Sequence, residues 1–164
     1  MTLREQARYL SWLRKRGFGF PWRTARAVAR TGINPAQAAV LLRKETGGGR
    51  NVFGCDHGPG RAFCHEAVTF DKVQRLRSSG LRNGIGPCQL TADSWVTRPP
   101  SSWGKVHRPY INMLAGFSGF KQMADEVGTF EAAKRFNGSA SYAADFVDRL
   151  SGVRRSLHGA GVKC

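Results

Sequence analysis

The stretch NPAQAAVLLRKETGGG, residues 34–49, decides the fold prediction. Asn34 is a good N-cap and Pro35 suits the first helical position, so a helix is predicted to begin here. The apolar residues that follow recur on one side at helical spacing, and Glu45 lies on or beside that side. The glycines after Thr46 end the helix. The sequence therefore predicts a rigid helix with one carboxylate at its end, next to a loose turn.

Helical periodicity covers much of the remaining chain. Further helices are predicted at residues 3–16, 22–30, 69–77, 110–115, 120–127, 130–136 and 141–157, with Thr69 and Thr129 as caps of two of them. Residues 46–66 and 83–91 contain too much glycine and proline for a good helix. They are predicted to form an irregular loop and a turn with a short extended piece. The expected fold is therefore mainly α, with little or no sheet.

Length and charge limit what the chain can do. Its 164 residues fit one domain, and no apolar run approaches the roughly 20 residues that a membrane span needs. The start, MTLREQARYL, lacks the apolar middle of a signal peptide. The 26 Lys and Arg against 11 Asp and Glu give a formal charge of +15. Such a surface attracts nucleic acid, an anionic bacterial cell wall or acidic phospholipid, or simply keeps the protein soluble.

The basic residues are concentrated at the N-terminus. The first two predicted helices carry eight of them against Glu5 alone: Arg4, Arg8, Arg14, Lys15, Arg16, Arg23, Arg26 and Arg30. They form either a solvated helix face or a docking surface for an anionic polymer. We therefore divide the chain into a basic helical segment, residues 1–31, that packs on or precedes the core, and a main domain, residues 32–164.

The cysteines leave the redox state open. They are Cys55, Cys64, Cys88 and Cys164. Cys55 and Cys64 could close a short loop as a disulfide, or all of the thiols could be free. With His57 and His65 the same pair would give a Cys-x-His…Cys-His zinc site, although this spacing matches no standard zinc pattern. No metal or other cofactor is expected in the site predicted below.

Three motifs need a joint explanation: RKETGGGRNVFGCD at residues 43–56, NGIGPCQLT at 83–91 and AAKRFNGSASYAADFV at 132–147. Each is weak alone, since a carboxylate at a helix end is usually solvated and Asn-Gly usually ends a helix. In this order and spacing they resemble the lysozyme superfamily, in particular its lytic-transglycosylase and goose-type-lysozyme branch, as found in endolysins and tail lysins of phages that infect actinobacteria. The resemblance covers about residues 32–153.

The resemblance implies a single lysozyme-like domain, mainly α with some α+β character, in which short helices surround a sugar-binding cleft. It implies that Glu45 is the catalytic acid. The residues expected to bind substrate are Thr46, Gly86, Gln89, Asn137 and Tyr142. Trp95 and Trp103 are expected to be either sugar platforms or core residues. The chain departs from the family pattern at Cys88, where an apolar residue is usual, and at Phe136, which replaces a tyrosine; both departures concern substrate preference.

The chemistry explains why a carboxyl group is needed in such a place. Cleavage of a glycosidic bond requires a proton on the leaving oxygen. A free Glu has a pKa of about 4.3, so burial and the negative end of the helix dipole must raise the pKa of Glu45. Asp56 is expected to be a base that positions water, a nucleophile, or only a group that stabilises its loop or holds a sugar hydroxyl. If the chain is similar to lytic transglycosylases, Glu45 is the one catalytic carboxyl group that the reaction needs. The substrate's acetamido group then assists, and a 1,6-anhydro sugar is the product.

Two other functions remain compatible with the sequence. One is a non-catalytic phage structural protein with a lysozyme-like fold, against which the intact Glu45-Thr46-Gly47 argues. The other is a basic nucleic-acid-binding module, which no helix-turn-helix or zinc-finger pattern supports. The expected partners are peptidoglycan glycan strands and the anionic wall surface, without specific nucleic acid, and the chain is expected as a monomer or within a larger phage assembly. Lacking a signal peptide, it would be made in the host cytoplasm and act on the wall, or be carried in a phage particle.

Overall fold

Seven α-helices make up most of the chain in the computed structural model, which describes residues 1–55, 63–79, 83–91 and 105–164. The helices are α1 (Leu3–Lys15), α2 (Pro21–Thr31), α3 (Pro35–Thr46), α4 (Phe70–Ser78), α5 (Pro109–Val127), α6 (Thr129–Asn137) and α7 (Ala140–Gly159). Within the described ranges the only strand-like pairings are isolated bridges around residues 52, 53, 67, 85 and 90. The prediction of a mainly α fold is confirmed.

Helix α3 lies at the centre of the core. Every residue from Pro35 to Leu42 is buried, because neighbouring helices cover it on all sides. The Asn34 side chain accepts a hydrogen bond from the Ala36 amide, as its N-cap position predicts. At the other end Gly47 adopts φ +65 as the C-cap. The helix is therefore rigid along its length and ends where the sequence indicates.

The contacts between helices form a series that ends at α3. Helix α2 packs on α1 and α5, α5 on α6, α6 on α7, and α7 returns to α3. Phe120 of α5 and Phe146 of α7 stack with their ring centroids 5.1 Å apart. The N-terminal segment joins this core, since Tyr9 is fully buried and its hydroxyl donates to the Pro35 carbonyl oxygen at 2.9 Å. The boundary between residues 31 and 32 stays a prediction.

Helix α5 corrects one prediction. Residues 110–115 and 120–127 were expected to form two short helices separated by glycines, but Pro109–Val127 is one continuous helix. Gly116 does not interrupt it, because its position is set by close packing. A Cβ at Gly116 would lie 2.6 Å from the Cys88 Cβ. The helix continues because Phe117, inside the expected break, and Phe120, directly after it, are both fully buried.

One of the two predicted threonine caps agrees with the structure and the other does not. The Thr69 hydroxyl accepts from the Lys72 amide at 3.3 Å near the start of α4, and Ser139 caps α7. The prediction that Thr129 caps α6 is wrong, because Gly128 holds that position. The Thr129 hydroxyl instead accepts from the Gln37 side chain at 2.9 Å, which joins α6 to α3. Among the described helices, none combines the length and apolar character needed to cross a membrane.

Candidate active site

Glu45 lies in the last turn of α3, partly buried and facing α7. Its Oε1 accepts a hydrogen bond from the Tyr142 hydroxyl at 2.5 Å. Tyr142 stands in the first turn of α7, after the Ser139 cap. The packing of α7 on α3 therefore brings the predicted acid and a predicted substrate-binding tyrosine into direct contact.

A glycine-rich turn follows α3 and is hydrogen-bonded back to the last turn of that helix. The amides of Gly48 and Gly49 both donate to the Leu42 carbonyl oxygen, at 2.9 and 3.3 Å. Gly49 has φ +87, and a Cβ there would lie 3.3 Å from the Leu42 side chain. A larger residue would therefore strain this turn, since L residues rarely adopt such a backbone conformation. The turn instead lets the Arg43 and Arg50 side chains pack closely against Gly48 and Gly47.

Thr46 links the end of α3 to the second motif. Its side chain is buried, and the hydroxyl donates to the Pro87 carbonyl oxygen at 3.1 Å. The Thr46 hydroxyl oxygen in turn accepts from the Gly49 amide at 3.0 Å. The hydroxyl thus makes contacts within the protein on both sides. Its geometry indicates a structural connection between the two motifs in addition to the predicted substrate contact.

Asn112, a fully buried residue of α5, stabilises the turn at residues 86–90 through two side-chain hydrogen bonds. The Asn112 side chain donates to the Ile85 carbonyl oxygen at 2.7 Å and accepts from the Cys88 amide at 2.9 Å. Gly86, predicted to line the cleft, is buried with φ +71, and a Cβ there would lie 2.7 Å from Asn112 Nδ2. Sequence reasoning missed Asn112, although a lone amide in the apolar run YINMLA was an available signal.

Gln89 has its side-chain amide turned toward the backbone. Nε2 donates to the carbonyl oxygens of Val52 and Gly86, at 3.0 and 2.8 Å. Gly54 and Gly84 leave the space for its Oε1, since a Cβ on either glycine would come within about 2.5 Å of that oxygen. Gln89 therefore ties the 83–91 turn to the segment that follows the glycine turn. Whether it also contacts a sugar or orients Glu45 stays a prediction.

The third motif is divided between the protein surface and the core. Asn137 is exposed at the last residue of α6, at the chain turn that leads to Tyr142. Phe136 is partly buried and packs edge-on against Phe120, with the two ring centroids 5.8 Å apart. The ring at position 136 therefore serves the core, and the hydroxyl that contacts Glu45 comes from Tyr142.

Two neighbours of Glu45, the Cys88 thiol and the Tyr142 hydroxyl, have raised pKa values. Burial raises the pKa of the Cys88 thiol, and the negative charge of Glu45 raises it further. Burial also raises the pKa of Tyr142, followed by the charge of Glu45 and the hydrogen bond to it. Both groups therefore stay protonated at neutral pH. Tyr142 remains a hydrogen-bond donor to an ionised Glu45, and its oxygen can accept from a protonated one.

Two charged residues beside the site were absent from the sequence predictions. Lys44 forms a salt bridge with Asp145, one turn of α7 beyond Tyr142. Its Nζ also lies 4.1 Å from the centroid of the Tyr142 ring. The contact joins α3 to α7 across more than a hundred residues of sequence, so no local pattern signals it.

The cysteines resolve the alternatives left open by the sequence. Cys55 and Cys64 form a disulfide, whereas Cys88 and Cys164 are free. His65 lies beside the disulfide, and its ring nitrogen and the two sulfurs fall within 4.8 Å of one another. With the sulfurs bonded to each other, neither is available as a thiolate ligand. Asp56, His57, Trp95 and Trp103 lie outside the described residues.

A cavity of about 570 Å³ lies away from Glu45, between the starts of α1 and α3. Its lining includes Glu5, Gln37, Lys121 and Lys163, and none of the predicted site residues. The predicted site residues and the cavity therefore lie in different parts of the surface. Comparison with family models, curated proteins and solved structures finds no match to this chain.

Proposed function

We propose that this protein cleaves the β-1,4 glycosidic bond between MurNAc and GlcNAc in peptidoglycan, with Glu45 as the general acid. One observation carries the proposal. The end of α3 contacts the other two motifs, since Tyr142 donates to the Glu45 carboxyl group and the neighbouring Thr46 donates to the Pro87 carbonyl oxygen. Three segments far apart in sequence thus meet at the end of α3, where the partly buried carboxyl group lies. That convergence supports the lysozyme-like arrangement, including a sugar-binding cleft at this surface.

In the proposed reaction the Glu45 proton moves to the glycosidic oxygen while the bond between that oxygen and the anomeric carbon breaks. The electron pair of the bond leaves with the oxygen, which departs as the hydroxyl of the GlcNAc fragment. The oxocarbenium-like centre that develops on MurNAc then needs a nucleophile. Tyr142 fixes the orientation of the carboxyl group, because a hydrogen bond of 2.5 Å leaves it little freedom to rotate.

The second half of the reaction has two routes. In hydrolysis a water attacks the anomeric carbon and loses its proton to a base, for which Asp56 is our candidate. In a transglycosylase the sugar's own 6-hydroxyl attacks with help from the acetamido group. Its proton passes to the Glu45 carboxylate left by the first step, and a 1,6-anhydro sugar forms. Both routes begin with the same proton donor, so the assignment of Glu45 is independent of the choice.

The basic surface suits an anionic wall as a partner. All eight basic residues from Arg4 to Arg30 are exposed, and the chain carries a formal charge of +15. Attraction between such a surface and wall polymers would keep the enzyme near its substrate. The same charge would also attract nucleic acid, but the convergence on Glu45 has no role in that function.

The test is mass spectrometry of the soluble products from purified peptidoglycan. Wild-type protein should release muropeptides, with Glu45→Gln inactive and Glu126→Gln, at an exposed site on α5, as active as wild type. Reducing-end products would assign hydrolysis, and anhydro products would assign transglycosylation. Equal release by wild type and Glu45→Gln, or no release from several wall types, would overturn the proposal and favour the non-catalytic structural or binding function.

A further inference from the structure

Tyr142 is held on two sides by consecutive residues of α3. Its hydroxyl donates to the Glu45 carboxylate at 2.5 Å, and the Lys44 ammonium lies 4.1 Å from its ring centroid. The Lys44 side chain is only 12% exposed, so this cation is largely removed from water. A buried ammonium is costly unless it is paired, so its position requires an explanation.

Asp145 provides that pairing. It forms a salt bridge with Lys44, and both of its oxygens also accept from Arg149 Nε, at 2.9 and 2.8 Å. The hydrogen bonds from Arg149 and Lys44 hold the pKa of Asp145 at about 2. Asp145 is therefore anionic wherever Glu45 titrates, and the salt bridge to Lys44 persists throughout that range. The ammonium is fixed by a partner that stands on the same helix as Tyr142.

The function proposed above gives these contacts a purpose, and the following inference rests on it. We propose that Lys44 is a positioning residue, which, anchored by Asp145, holds the Tyr142 ring so that its hydroxyl stays on the Glu45 carboxyl group. An ammonium against a ring face contributes about 0.5–2 kcal/mol, depending on how far it is desolvated. Rotation of the ring away from Glu45 would forfeit this contact as well as the hydrogen bond.

The charges of the pair affect Glu45 in opposite directions. Lys44 favours the ionised form of a nearby carboxyl group, and Asp145 disfavours it. Among the other described groups, Cys88 interacts with Glu45 and is kept as a thiol by burial, and Arg149 binds Asp145. Removing Lys44 should therefore move the titration of Glu45 upward, whereas removing the charge of Asp145 should move it downward.

The experiment is an NMR titration of the Glu45 carboxyl carbon, assigned with Glu45→Gln, together with the ring signals of Tyr142. We expect Lys44→Met to raise the Glu45 midpoint and shift the Tyr142 signals, Asp145→Asn to lower the midpoint, and the double variant to return it toward wild type. Lys134→Met, which removes an exposed lysine on α6, is the control that should change nothing. Lys44→Arg keeps a cation over the ring and should rescue the ring signals if Lys44→Met folds poorly.

Activity gives a second, separate readout. A displaced acid should lower kcat between about tenfold and about a hundredfold while KM stays within about twofold. Unchanged Glu45 midpoints and unchanged Tyr142 signals in Lys44→Met and Asp145→Asn would overturn the positioning role. Inactivity of the wild type, with the NMR shifts as expected, would instead overturn the glycosidase function and leave the contact between Lys44 and Tyr142 established.

Discussion

The Thr46 hydroxyl donates to the Pro87 carbonyl oxygen at 3.1 Å, so the residue after the proposed acid is bonded directly to the 86–90 turn. The same hydroxyl oxygen accepts from the Gly49 amide. One buried side chain therefore fixes the glycine turn and the second motif relative to the end of α3. The position of Glu45 against that turn depends on this connection.

Thr46→Val tests this connection, because it keeps the shape of the side chain and removes the hydroxyl. The Gly49 amide and the Pro87 carbonyl then lose a buried partner, and we expect a loss of about 1–3 kcal/mol in the free energy of unfolding. Urea denaturation measures the change. Thr46→Ser retains the hydroxyl and is the matched control. A rise in KM at unchanged stability would instead identify Thr46 as a substrate contact only.

Tyr142→Phe tests the hydrogen bond to Glu45. A hydrogen bond donated to a carboxylate stabilises its ionised form, so its loss should raise the pKa of Glu45. A general acid is active while it is protonated, and the alkaline limb of the pH–rate profile should therefore move to higher pH. A hydrogen bond to a charged group contributes about 1.5–3 kcal/mol, so the movement of the limb should be readily measurable.

The measurement is kcat/KM as a function of pH for wild type, Tyr142→Phe and a control. Tyr110→Phe is a suitable control, since Tyr110 is also partly buried but lies on α5 under Arg26. A limb that stays in place, or moves to lower pH, would show that the Tyr142 hydroxyl does not stabilise ionised Glu45. Direct titration of Glu45 by NMR should give the same order of the variants.

Much of the fold followed from local signals. Helix α3 was predictable because Asn34, Pro35 and the glycines mark its two ends within the sequence itself. The continuity of α5 was not, because Gly116 reads as a helix breaker until Cys88 is seen packed against it. Thr129 likewise resembles a cap, but its hydroxyl contacts Gln37 of a distant helix. Local chemistry sets helix ends, whereas tertiary contacts decide which glycines and threonines depart from it.

The candidate site was predictable to a smaller extent. The motif around Glu45 pointed to the acid, and Tyr142 was predicted near the cleft, but the contact between them depends on how α7 packs on α3. Lys44 and Asp145 gave no signal, since charged residues on helices are usually solvated. Asn112 could have been suspected as an amide within an apolar run. Its two hydrogen bonds to the backbone of Ile85 and Cys88 could be found only from the structure.

The Cys55–Cys64 disulfide should stabilise the segment that leads to the second motif. It lies next to two backbone hydrogen bonds. The Phe53 amide donates to the Glu66 carbonyl oxygen, and the Gly54 amide donates to the Gly84 carbonyl oxygen. Closing a loop of this length in the unfolded chain corresponds to about 2–3 kcal/mol. We expect Cys55→Ser, or treatment with a dithiol reductant, to lower the free energy of unfolding by about that amount.

Thiol titration of the unfolded protein supplies an independent check on the same bond. Without reductant only Cys88 and Cys164 should react, and after reduction all four cysteines of the chain should react. Cys164→Ser removes a thiol outside the disulfide and is the control for stability. Four reactive thiols without reductant, or one tightly bound zinc ion per chain, would contradict the disulfide and return the segment to the alternatives of free thiols or a metal site.

The exposed arginines of α1 and α2 should control attachment to the wall. Arg4, Arg14 and Arg30 are fully on the surface, so replacing them with glutamine should leave the core intact. We expect the triple variant to bind whole peptidoglycan sacculi more weakly at low salt. The difference from wild type should disappear near about 1 M salt, where charges are screened within a few Å. Activity on short, soluble glycan fragments at about 1 M salt should be equal for both proteins, because the charges are screened and Glu45 is unchanged. Co-sedimentation with sacculi at several salt concentrations measures the binding. Equal, salt-independent binding would assign these residues to solubility alone, since a docking surface made of charges must weaken when three of them are removed.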